Sequence, residues 1–346
     1  MSQASAKGEI RASRGSRRAL VVLAVMVSLM VAACGSDSDG GGSTGAGSTG
    51  GSGETGSKLI IYEVGFPCGL NDYTTQLCNG IKDTAKTLPA AYRVEIKTGV
   101  DYKDAAALNN QIQTSLELKP AGLLVFATGP AAHTPMLKRA CEQGVKIITI
   151  DVGVDGLGDC LSSHIGADNT AMGESVARWL LERPALGKEV GVVNFPPGQI
   201  PASDQRVKGF TDAVKAAGYD VVAEVSTQLS LDDTRTQVTN MLTANPNLSV
   251  IFAANSIIGS GVRQALKGDR DVTLLAVDGV LDDVPHILDG TIGAEAAQAP
   301  YLEGKLAVEY MVTVLEGKRV PRLTYTPSKV IDKTNAEEYR AAGGLR

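Results

Sequence analysis

The side chains best placed for covalent or metal chemistry in this chain are its five cysteines and three histidines. Cys34 closes an apolar run, after Val31-Ala32-Ala33. Cys68, Cys78, Cys141 and Cys160 lie far downstream. An even number of cysteines beyond the first points, in an exported chain, to disulfides. Three connectivities are open. Cys68–Cys78 and Cys141–Cys160 are preferred, because each pair is close in sequence and straddles a loop. The alternative, a structural zinc site, lacks the CxxC spacing such sites usually show. His133, His164 and His286 are scattered without metal-ligand spacing. There is no G-x-S-x-G. Gly51 to Lys58 (GSGETGSK) imitates a phosphate-binding loop, but its Lys is misplaced and no strand precedes it. The expectation is therefore a protein that is not an enzyme and holds no metal or cofactor.

Where the chain works is written at its front. Arg17-Arg18, the apolar run Ala19 to Val31, and the small residues before Cys34 form the basic, apolar and cleavage regions of a secretory signal. The run is too short to span a bilayer. Its end resembles the bacterial lipobox, in which the cysteine is lipidated and becomes the new N-terminus. Residues 1–33 are thus expected to be a signal peptide and Cys34 a lipid anchor. An ordinary signal peptide with a chance cysteine is the alternative. Gly35 to Ser57 argues against it, being almost entirely Gly, Ser, Thr and Asp. Such a segment stays a flexible coil, so 34–57 reads as a tether holding a folded body on the order of 25 Å from the lipid. Ser16 to Leu20 faintly resembles a twin-arginine signal, and the export route stays open. An extracytoplasmic body at the outer face of the membrane excludes nucleic acid as partner and any reaction needing cytosolic nucleotide. The net charge of -5 agrees, with no dense Lys/Arg stretch to face phosphates. Aromatic residues make up only 4%, so a ligand pocket has few rings available.

The elements that must position any site follow a regular pattern from Lys58. Short apolar strands (59–64, 92–96, 122–126, 145–150) alternate with amphipathic helices (73–88, 104–118, 132–143). The pattern then restarts. Helices at 169–181, 204–217, 234–243, 260–266 and 300–316 alternate with strands at 189–194, 219–226, 250–254 and 272–277, and a strand-like tail follows. This alternation implies parallel sheets with helices on both faces. Two such doubly wound units side by side can face the carboxyl ends of their strands across a cleft, where ligands of this architecture bind.

The strand ends carry a set of short motifs. VKIITIDVG (145–153), the segment Ser163 to Asn169, Arg206-Val207-Lys208-Gly209-Phe210, IFAAN (251–255), LAVDG (275–279) and EAAQAP (295–300) appear in one order. In that order and spacing they resemble the type I periplasmic sugar-binding proteins, and most nearly the ribose-binding group, over about Leu59 to Tyr339. The resemblance implies two α/β lobes joined by a three-crossing hinge with a ligand cleft between them. The lobes would be 58–167 plus 299–327 and 168–298 plus 328–346. It implies ligand-binding roles for Asn71, Tyr73, Asp151, Arg206, Asn255, Asp278 and Gln298. Their chemistry suits a sugar: ionised Asp accepts from two hydroxyls, Arg donates through a planar fork, Asn and Gln do both, and a ring such as Tyr73 covers an apolar face. Five of them have a plainer reading. Asp151, Asp278 and Asn255 could be helix caps, Arg206 a surface residue and Tyr73 core packing. His164 would support the crossover between lobes.

Two departures stand out. Val152 follows Asp151 where the family often has Arg, and Thr74 follows Tyr73 where a second aromatic is common. With a donor and a ring missing, a linear polyol, a smaller sugar or another small polar molecule fits as well as a pentopyranose. The resemblance implies a monomeric, lipid-anchored substrate-binding protein of an ABC importer, passing a sugar or polyol to a membrane permease. A sensor presenting its closed form to a signalling receptor is the alternative, and an exported enzyme on the same architecture a more distant one.

Overall fold

The structure, a computed structural model, describes residues 56–99, 104–228, 230–267 and 271–345. The expected signal peptide, Cys34 and nearly all of the expected tether lie outside the described residues. In chain order the elements are β1 (Lys58–Val64), α1 (Asp72–Lys86), β2 (Tyr92–Thr98), α2 (Ala105–Leu116), β3 (Gly122–Phe126), α3 (Thr134–Glu142), β4 (Lys146–Ile150) and β5 (Leu161–Ala167). They continue as α4 (Asn169–Leu181), β6 (Glu189–Asn194), α5 (Pro201–Ala216), β7 (Asp220–Ser226), α6 (Leu231–Ala244), β8 (Val250–Ala253), α7 (Ser256–Ala265) and β9 (Thr273–Asp278). The last are α8 (Val284–Leu288), β10 (Ile292–Ala297), α9 (Pro300–Leu315), β11 (Leu323–Thr326), β12 (Lys329–Asp332) and α10 (Ala336–Ala341).

The strands form two six-stranded sheets, ordered β11-β5-β4-β3-β1-β2 and β12-β10-β9-β8-β6-β7. All neighbours are parallel except β12, which runs antiparallel to β10. Strands such as β3 and β8 are buried at every residue. A parallel sheet covered on both faces makes its strands continuous apolar runs, and that is why GLLVF and VIFA read clearly in the sequence. Each sheet is sandwiched between two apolar clusters. In the second lobe, Phe210 of α5 stacks on Phe252 of β8 at 4.1 Å between ring centroids. Because β5 lies in the first sheet while α4 packs on the second, the chain changes lobe near Asp168; it does so again between β10 and α9 and between β11 and β12.

In each lobe one helix pair, α1 with α9 and α4 with α5, approaches through glycines of both helices. Cβ atoms at Gly173 of α4 and Gly209 of α5 would come 2.0 and 2.2 Å from backbone oxygens of the facing helix, so only glycine permits the approach. The clashing oxygen opposite Gly173 belongs to Arg206, which ties this packing to a site residue.

Local chemistry explains where helices start earlier than the periodicity suggests. The Ser230 hydroxyl accepts from Asp233 N and starts α6 at Leu231. The Asn255 side chain accepts from Ile258 N at 2.8 Å and starts α7 at Ser256. Pro201 opens α5 at its first turn. Two segments read from sequence only as crossover and hinge are strands, β5 and β10. The structure joins Cys68 to Cys78 and Cys141 to Cys160.

Candidate functional site

Both sheets turn the carboxyl ends of their strands toward one cavity of about 310 Å³, at the small end of the range of ligand pockets, ~300–1,000 Å³. All seven residues named from the sequence line it: Asn71, Tyr73, Asp151, Arg206, Asn255, Asp278 and Gln298. The first lobe contributes the loop after β1 and the start of α1, with Phe66, Pro67, Leu70, Asn71, Tyr73 and Thr74, together with Phe126 and Asp151 at the ends of β3 and β4. The second contributes Ile200 to Arg206 at the start of α5, Asn255 and Ile257 after β8, Asp278 at the end of β9 and Gln298 after β10.

Asp151 and Asp278 occupy matching places. Each ends, or immediately follows, the fourth strand of its doubly wound unit. Each is a non-glycine residue with positive φ, at 59° and 110°; the third described residue of this kind is Lys119. L-residues adopt this backbone at a cost, and such outliers cluster at functional sites.

The two carboxylates differ in their partners. Asp278 is saturated. Its Oδ1 accepts from Arg206 Nη1 at 2.8 Å and Gln298 Nε2 at 2.9 Å, and its Oδ2 from Ser256 N and Oγ at 3.1 Å each. Arg206 in turn donates through Nε to Asn169 at 2.7 Å and through Nη1 to Ala254 O at 3.2 Å. The Arg206–Asp278 pair is buried, with side chains 5% and 11% exposed. Asp151 is 7% exposed and its Oδ1 has no hydrogen-bond partner. Burial, with Asp278 nearby, pushes the Asp151 carboxyl up to about 6, against the opposing pull of the Arg206 guanidinium and the Tyr73 hydroxyl.

For Asn255 and Tyr73 the plainer role holds alongside the lining position, whereas the surface reading of Arg206 fails and neither Asp151 nor Asp278 caps the helical turn that follows it. Asn71 caps α1 by accepting from Thr74 N at 2.9 Å, and Asn255 caps α7. Arg206 is buried. Tyr73 packs in the first-lobe core while its hydroxyl donates to Glu303 Oε2 at 2.8 Å. Tyr73 also lines the cavity. His164 sits in β5, hydrogen-bonded to Thr149 through Nδ1 at 2.9 Å, and burial lowers its pKa.

Sequence reasoning missed the supporting residues Asn169, Ser256 and Glu303. Glu303 is fully buried, accepts also from Thr326 Oγ1 at 3.0 Å, and is pushed by burial and by Asp151 up to about 8. The signal was present: Glu303 falls on the stripe formed by Pro300, Gly304, Ala307, Val308 and Met311, the buried face of α9.

Comparison with known proteins agrees with this architecture. The periplasmic binding protein domain family matches residues 64–319. The ribose import binding protein of Bacillus subtilis is 27% identical over 265 residues, covering 75% of this chain and 83% of the relative. The D-allose-binding periplasmic protein of Escherichia coli is 25% identical over 276 residues, covering 76% and 87%. Among solved structures, an ABC transporter solute-binding protein from Agrobacterium vitis bound with alpha-D-tagatopyranose superposes with a TM-score of 0.76 at 23% identity, covering 83% of this chain and 99% of that one.

Proposed function

The chain belongs to the periplasmic binding protein domain family, and on that premise we propose that it is the extracytoplasmic substrate-binding protein of an ABC importer. It takes a sugar or polyol into the cleft between its lobes and delivers it to a membrane permease. The observation that carries this reading is the convergence on one small cavity of Asp151, Asn255, Asp278 and Gln298, from just at or after strand ends of both sheets, with Arg206 from α5. Ionised and amide groups so placed match adjacent hydroxyls that both donate and accept. A site of this kind rejects analogues lacking a hydroxyl, because its own buried groups would then be unpaired. Relatives named for ribose and allose support the same ligand class.

In this reading the lobes, 58–167 plus 299–327 and 168–298 plus 328–346, close about three crossings as ligand contacts both. The permease receives the closed form. Cys34, lipidated after removal of 1–33, holds the monomer to the outer face of the membrane through the tether 34–57.

A thermal-melt screen of the purified chain tests the binding role, using pentoses, hexoses, polyols, amino acids and nucleosides. A ligand at a hundred times its dissociation constant stabilises by about 2.7 kcal/mol. The expected result is a shift with a hydroxyl-rich ligand that disappears in Asp278→Asn. A shift confined to amino acids or nucleosides, or no shift at all, would refute the proposal.

A further inference from the structure

The cavity has an imbalance that a neutral ligand leaves uncorrected. Its lining carries two carboxylates, Asp151 and Asp278, against the single guanidinium of Arg206. That guanidinium is already committed to Asp278, which has donors on both oxygens. Asp151 remains without a cation of its own. The next residue, Val152, is apolar and 2% exposed. Two buried acceptors, Asp151 Oδ1 and Gln298 Oε1, have no hydrogen-bond partner, and these residues are only 7% and 2% exposed. A buried carboxylate without a counter-charge is costly. The same cavity is lined by Tyr73, Phe66 and Phe126, the two phenylalanines meeting edge to face at 5.0 Å. Aromatic rings beside a carboxylate favour an organic cation.

We propose that the ligand is an ammonium-bearing polyol, an amino sugar or aminocyclitol, whose ammonium group is received by Asp151 and Gln298 beside the aromatic wall while its hydroxyls meet the second-lobe groups around Asn255. The inference rests on the transport reading above and narrows its ligand class. An anionic sugar is excluded by the same excess of acceptors.

The groups facing Asp151 are Tyr62 of β1, Tyr73 of α1, Arg206 of α5, Asp278 of β9 and Glu303 of α9, with His164 of β5 beside the neighbouring Gly153 and Gly166. Among them only Arg206 brings a fixed positive charge, so protonation of Asp151 removes the group that distinguishes amine from hydroxyl.

Calorimetric titration of the purified chain with matched sets tests the proposal. Each set has one ring as amine, parent alcohol, N-acetyl derivative and uronic acid: D-glucosamine, D-glucose, N-acetylglucosamine and glucuronic acid; the galactose equivalents; and an inosamine with its parent inositol. The expected result at pH 7 is that in at least one set the amine binds tenfold or more tighter than its parent and its N-acetyl form. Asp151→Asn, which keeps the shape, should erase that ratio, as should lowering the pH below about 6. If every set that binds does so with the parent alcohol as tight as the amine, the amine proposal is overturned and the transport reading stands. If no amine, sugar or cyclitol binds, both fall.

Discussion

Asp151 pairs a strained backbone with a buried carboxylate whose Oδ1 is unpartnered. Both features raise the energy of the ligand-free protein and neither serves packing. Replacing it by glycine, which adopts positive φ freely, should therefore stabilise the fold by about 1 kcal/mol while abolishing ligand binding; a melt and a titration on the same variant check the two effects together. Glu303 sets a second expectation. Burial raises both Asp151 and Glu303, to about 6 and about 8, above ordinary carboxylate values. Groups raised in this way contribute stability that is fully present below the unfolded-state pKa and is lost as pH rises through the folded-state value. The ligand-free protein should lose this stabilisation from about pH 4 to 8. Melting curves across that window should show a shallower decline in Glu303→Gln than in the unaltered chain. Parallel curves would mean that Glu303 keeps an ordinary carboxylate pKa.

Among the cavity-lining segments, the loop between β1 and α1 is held by a covalent strap. It carries Phe66, Pro67, Leu70 and Asn71 into the cavity wall, and the Cys68–Cys78 disulfide fastens it to α1. The second disulfide, Cys141–Cys160, joins α3 to the turn before β5, and neither cysteine lines the cavity. Removing either by paired Ser substitution should cost about 2–4 kcal/mol in stability. Only the Cys68/Cys78 pair should also weaken ligand affinity, and titrating both variants separates the effects. How legible these elements were depended on their burial. Strands inside the parallel sheets announce themselves because both faces are covered, and Asp278 stands out as a charge at the end of TLLAVD. The edge and near-edge strands β5, β10, β11 and β12 were less legible. LSSHIGA and IGAEAA mix small and polar residues with few large apolar ones, and their partners come from distant parts of the chain. The polar supports Asn169 and Ser256 were hidden for another reason. Their role depends on Arg206 and Asp278 arriving from other elements, and nothing local marks it.

At the scale of the molecule, two sheets of the same strand order place equivalent aspartates on opposite sides of one cleft. The lobes also touch directly. Val280, just after β9, packs into the first-lobe cluster, and Leu281 N donates to Asp72 Oδ2 at 3.0 Å. Asp72 is absent from the cavity lining, so in the proposed transport cycle this bond favours the closed form without touching the ligand. A hydrogen bond to a charged acceptor contributes about 1.5–3 kcal/mol. Asp72→Ala should accordingly weaken affinity by about tenfold and increase the radius of gyration in solution scattering, with the choice of ligand unchanged. The central claim is that one ligand is held by both lobes at once. The most direct test is calorimetric titration of the ligand giving the largest melt shift against Asp151→Ala, from the first lobe, and Asn255→Ser, which keeps a capping hydroxyl in the second. The expected result is a loss of tenfold or more in each. Loss in one variant with full affinity in the other would place the ligand on a single lobe and contradict it.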